Sequence, residues 1–111
     1  MRIQENLEKS KYEADGKITI KGTTIPYHTI CEDNFFVDEE NNPVASIFSY
    51  AYFRSDIQDN SKRPILFIYN GGPGCASLWL HMGLFGPRIV KLDDELNLPT
   101  VPPFELEDNP H

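Results

Sequence analysis

Cysteine is nearly absent from this 111-residue chain: Cys31 and Cys75 are the two it has. Two are too few for a disulfide scaffold, and neither belongs to a Cys-X-X-Cys metal or redox pair. The opening MRIQENLEKSKYEAD has no apolar centre, so it does not read as a secretory signal. No apolar run approaches the ~20 residues of a membrane span, and no Asn-X-Ser/Thr acceptor occurs. Positive charge is also scarce. Ten Lys and Arg stand against 17 Asp and Glu, a net charge of -7. Such a surface repels phosphate backbones and anionic lipid, which argues against nucleic-acid and membrane partners. The expectation is a soluble chain, cytoplasmic by default.

What is present suits a globular class: 40% of residues are hydrophobic and 12% aromatic, too many for a disordered segment. Residues 1–16 are polar and read as a loose lead-in, which leaves 17–111 as the domain. Alternation over 17–25 predicts a strand that Pro26 and Tyr27 interrupt, with a second extended stretch from Ile30 to Val37. The turn formers DEENNP (38–43) predict a hairpin. Residues 44–54 predict a long strand, with Phe48, Tyr50 and Tyr52 on one face and Ile47, Ala51 and Phe53 on the other. Apolar groups on both faces call for cover on both sides.

Residues 65–69, ILFIY, are apolar at every position, the pattern of an interior strand of an α/β sheet. Residues 75–85 predict a short buried helix that Gly86-Pro87 closes. Helices to cover both sides of ILFIY are missing from this inventory, so the pattern is that of an α/β domain cut off partway.

The joint between strand and helix is NGGPGCAS, residues 70–77. Sites in open α/β sheets form at the carboxyl ends of strands. Glycine there allows positive φ and brings bare N–H groups to a ligand, Pro73 stiffens the loop, and a helix start adds its positive dipole end. The expected product is a cradle for an anion or for an oxyanion that develops in a transition state. Two nucleotide motifs fail here. A P-loop needs a lysine after its glycines, and a dinucleotide fingerprint would need Gly or Ala where Ser77 stands.

The stretch RPILFIYNGGPGCASLWLHMGLFGPRIV resembles the loop region of the serine carboxypeptidase family. The upstream ASIFSYAYFRS and the downstream LEDNP resemble its flanking segments, so the likeness covers roughly residues 26–110. Proline iminopeptidases, a nearby rival, carry His where Asn70 stands. The resemblance implies the N-terminal portion of an α/β-hydrolase fold, no cofactor and no metal, and the C-terminus of a peptide as substrate. It implies that Gly72 donates its N–H to the oxyanion. Asn70, through its side-chain amide, and Gly71, through its N–H, would hold the terminal carboxylate. Leu84 stands where the family has a glutamate that assists carboxylate binding. Cys75 is expected at the helix start as a small packing residue, or as a half-cystine in secreted relatives. The family is often secreted, vacuolar or lysosomal, in contrast to the default drawn from this N-terminus.

A hydrolase of this class needs Ser, then Asp, then His in chain order. None of Ser10, Ser46, Ser49, Ser55, Ser61 and Ser77 sits in a Gly-X-Ser-X-Gly elbow. His28, His81 and His111 are read as packing or solvated residues. The expectation is therefore a serine-type carboxypeptidase segment, inactive alone. The alternatives are a non-catalytic binding module or gene remnant, and an acyltransferase segment of carboxypeptidase-like type.

Overall fold

The computed structural model describes residues 9–72, 74–97 and 100–111. Pro73 lies outside them, as does the first half of the expected lead-in. The described residues are mostly β. Strands β1 (Lys11–Ile20), β2 (Thr23–Val37) and β3 (Pro43–Arg54) form a sheet in the order β1-β2-β3. Then come a three-residue helix α1 (Leu78–Leu80), a π-helix (His81–Phe85), and the short strands β4 (Arg88–Val90) and β5 (Leu106–Asp108), which pair antiparallel. The chain divides into two units. One comprises the described residues up to Lys17 with Pro26–Ile57, and the other Ile18–Ile25 with the described residues of Gln58–His111.

Two departures from expectation occur early. Part of the lead-in is strand, since β1 begins at Lys11. The chain reverses not at Pro26 but at Lys21-Gly22, whose φ values are +50 and +80. Two residues of positive φ make the mirror-image turn that matches strand twist, and the Thr19 and Thr24 hydroxyls meet across it at 3.0 Å. β2 then runs straight through Pro26, whose carbonyl accepts from the Ser55 N–H at 3.1 Å.

The hairpin at 38–43 and the long strand after it are as expected. The Asp38 carboxylate accepts from the N–H groups of Asn42 at 2.8 Å and Glu40 at 3.0 Å, bonds that hold its carboxyl below the usual range. β2 and β3 pair antiparallel, Ile30 opposite Ala51 and Cys31 opposite Tyr50. Diagonal aromatics add to the ladder: Tyr27 meets Tyr52 edge-on at 5.9 Å, a contact type that contributes on the order of 0.5–1.5 kcal/mol beyond burial. The cover expected on both faces of β3 is not supplied among the described residues. Val44, Ile47, Phe48, Tyr50 and Phe53 all remain exposed.

The interior strand expected at ILFIY is corrected outright. Residues 65–69 lie in no strand, and Phe67 and Tyr69 are each 79% exposed. A strand is held by its ladder neighbours, and no described strand lies beside this one. The expected helix shrinks for a similar reason. It begins at Leu78 rather than Cys75, turns π after three residues, and buries no side chain. So short an apolar helix is not stable without a surface to pack against.

The buried hydrophobic residue among those described is Ile18, in the second unit. The buried polar one is Asn109, 4% exposed. Its side-chain amide donates to Leu84 O at 2.8 Å and Gly86 O at 2.9 Å, and its backbone N–H to Pro87 O at 2.9 Å. Gly86 N–H in turn donates to His81 O at 2.8 Å. Carbonyls at a helix end lack intrahelical donors, and here a side chain 25 residues downstream supplies them.

Asn109→Asp keeps the shape and removes both donated side-chain bonds. It is expected to destabilise the π-helix exit by about 1–3 kcal/mol, read as faster amide exchange at Gly86; unchanged exchange would refute the clamp. A second test concerns pH. Burial pushes the Tyr52 phenol from 10.0 up to about 12, with Cys31, Tyr27 and Tyr50 adding to it. The folded sheet favours the neutral phenol, so this stabilisation is intact below about pH 10 and is lost as pH rises toward about 12. An alkaline titration of sheet content is expected to fall across that window in the parent and to flatten in Tyr52→Phe.

Candidate functional site

Residues 70–77 form a loop tied by its own polar groups. The Asn70 backbone N–H donates to Ser77 Oγ at 2.9 Å. The Asn70 side-chain amide donates back into the loop, to Ala76 O at 3.1 Å and Cys75 Sγ at 3.3 Å. Cys75 N–H donates to Gly72 O at 3.3 Å, which closes a four-residue turn. Gly74 within that turn has φ +90, and Gly72 has φ +78. Both lie where L side chains are strained. At neither would an added Cβ meet an atom within 4 Å, so the demand for glycine is conformational rather than steric.

Positive φ at Gly72 and Gly74 is thus as expected, while the helix contribution is not. α1 is a single turn that starts after Ser77, and it adds no meaningful dipole to the loop. Ser77 is the residue before that turn, yet its hydroxyl makes no cap bond and serves Asn70 instead. This tie was invisible in the sequence, because an Asn-to-Ser spacing of seven carries no known pattern. Cys75 lies ahead of the helix, exposed and free, and Cys31 is free and half-buried.

The three residues assigned to ligand binding adjoin one another. Gly71 and Gly72 are exposed, and among the described residues none accepts a hydrogen bond from either N–H. Asn70 is half-buried with its amide turned onto Ala76, so a ligand would have to displace that bond. No residue from 70 to 80 is charged; the donors are neutral dipoles, suited to carboxylate or oxyanion binding without a permanent counter-charge.

His28 belongs to the first unit, where its Nδ1 lies 2.8 Å from Asp15 and its Nε2 3.9 Å from Glu13. No described hydroxyl or thiol bonds to its ring, so this His–carboxylate pair lacks a nucleophile to activate. Burial lowers the pKa of His81, and His111 donates its backbone N–H to Asn109 Oδ1 at 3.1 Å. Leu84 is exposed, with its carbonyl held by Asn109.

Over 61 residues the chain is 34% identical to the pheromone-processing carboxypeptidase KEX1 of Saccharomyces cerevisiae (strain JAY291). That chain is a carboxypeptidase, and this one is similar to part of it. The match takes in 55% of the present chain and 8% of that protein's length. No family model matches the sequence, and no solved structure matches the fold.

Gly74→Ala places a Cβ at φ +90 and is expected to cost about 1–2 kcal/mol. The Cys75 amide, bonded to Gly72 O, should then exchange roughly ten-fold faster. Equal exchange in parent and variant would show that the turn does not depend on glycine.

Proposed function

We propose that Asn70, Gly71 and Gly72 form the carboxylate- and oxyanion-binding part of a serine-type carboxypeptidase site. The observation that carries this reading is the adjacent, exposed pair of N–H groups at Gly71 and Gly72, with no described acceptor. Partial similarity to a carboxypeptidase supports it. Gly72 donates to the oxyanion of the tetrahedral intermediate. Gly71 and the Asn70 amide donate to the terminal carboxylate of a peptide, the Asn70 amide leaving Ala76 O to do so. A single oxyanion donor is worth about 10²–10³ in rate in related chemistry.

Electrophilic assistance alone does not cleave an amide. The nucleophile, and the base that deprotonates it, would come from polypeptide outside these 111 residues, since no serine here has elbow flanks. Leu84 offers no carboxyl toward the substrate, so carboxylate recognition falls to neutral donors. The missing elbow also favours a second reading, a non-catalytic module that binds carboxylates. An acyltransferase segment would use the same donors.

The purified chain is expected to release no amino acid from an N-blocked dipeptide. It is expected to show amide shifts at Gly71 and Gly72 with the free-acid dipeptide and none with its C-terminal amide. Measurable turnover would overturn the division of labour, and equal shifts with acid and amide would overturn the carboxylate site.

A further inference from the structure

We infer that Ser77 is a positioning residue whose hydroxyl holds the Asn70 main chain as a pivot while the Asn70 side chain swings to a bound carboxylate. This role rests on the reading of Asn70 and Gly71 as carboxylate donors. Ser77 stands directly before α1, where a serine hydroxyl ordinarily accepts from a helical N–H. It makes no such bond. Its Oγ accepts instead from the Asn70 N–H, seven residues back, at 2.9 Å.

Ser77 is anchored for this task. It is half-buried, and its carbonyl accepts from the His81 N–H at 3.0 Å, which ties it to the helical turns that follow. Asn70 is held at two points: its N–H on Ser77 Oγ, and its side-chain amide on Ala76 O at 3.1 Å and Cys75 Sγ at 3.3 Å. The two holds differ in what binding asks of them. The side-chain amide has to leave Ala76 O to meet a carboxylate. The Asn70 N–H is not one of the ligand's donors, so its bond to Ser77 can persist. Among the described residues no other group bonds to Asn70, and without Ser77 the swing would release the residue altogether.

The effect reaches one donor further along the chain. Gly71 N–H lies in the peptide plane that Asn70 begins, so it turns with Asn70. Gly72 is held by a different bond, from Cys75 N–H to its carbonyl at 3.3 Å. Ser77 therefore serves the carboxylate donors and not the oxyanion donor, which separates positioning from general support of the loop.

The test titrates the full chain with an N-blocked free-acid dipeptide and with its C-terminal amide, read at the Gly71 amide and by hydrogen exchange. Ser77→Ala is expected to weaken binding of the acid roughly five-fold, the worth of one ordinary hydrogen bond. Exchange at Asn70 should speed up, while the Cys75 amide keeps its parent rate. Ser77→Thr retains a hydroxyl and should restore both affinity and Asn70 protection. In the parent, saturating acid should shift the Asn70 side-chain amide and leave the Asn70 N–H protected, a result that decides the matter even if Ser77→Ala folds poorly. Loss of that protection on binding would overturn the pivot. Faster Cys75 exchange in Ser77→Ala would also overturn it, by reducing Ser77 to a support of the whole loop. If the parent prefers acid to amide and Ser77→Ala binds as tightly, the pivot fails while the carboxylate reading stands. A parent that responds equally to acid and amide sinks both.

Discussion

Five consecutive apolar residues without a strand beside them set the terms for the rest of this structure. A ladder would satisfy the backbone of residues 65–69 and flanking elements would bury their side chains, yet the described residues supply neither. The same shortage shows elsewhere. Among the described residues β3 keeps exposed apolar groups on both faces, and the apolar residues after Ser77 manage one α-helical turn before turning π. Hydrophobic burial, ordinarily the main favourable term in folding, is thinly represented.

Polar ties do much of the local ordering instead. In the first unit the Asp38 carboxylate closes the β2–β3 hairpin. In the second, Asn109 gathers three carbonyls around the Gly86-Pro87 exit. The loop of residues 70–77 is closed by Asn70, Ser77 and the Gly72–Cys75 turn. Each is a small cooperative knot rather than a share of a common core. That arrangement can preset two neighbouring N–H donors at Gly71 and Gly72, while no serine of the chain has the flanks of a nucleophile elbow, which is why the proposed role is binding and charge stabilisation and not turnover.

How much was legible in the sequence followed from how local each signal was. The 38–43 hairpin and the strand after it rest on turn formers and alternation, which neighbouring residues determine, and both were found. The Lys21-Gly22 turn was missed because Pro26 looked like the stronger break, although proline is tolerated where its missing N–H breaks no essential bond. ILFIY and the helix after it were misplaced because their patterns report what a segment would do once covered, and the cover is not among the described residues. In the loop, the need for glycine at positive φ was readable from composition. The tie from Asn70 to Ser77 and the clamp from Asn109 were not, since side chains that reach across seven or 25 residues leave no periodicity.

The central claim is that residues 65–69 find no strand partner among the described residues. Amide exchange over those residues, followed from dilute to concentrated solution, tests it most directly. The account predicts rates close to those of an unstructured peptide at high dilution. Strong protection of these amides that is independent of concentration would contradict it, and would mean that a single chain already holds them in a sheet.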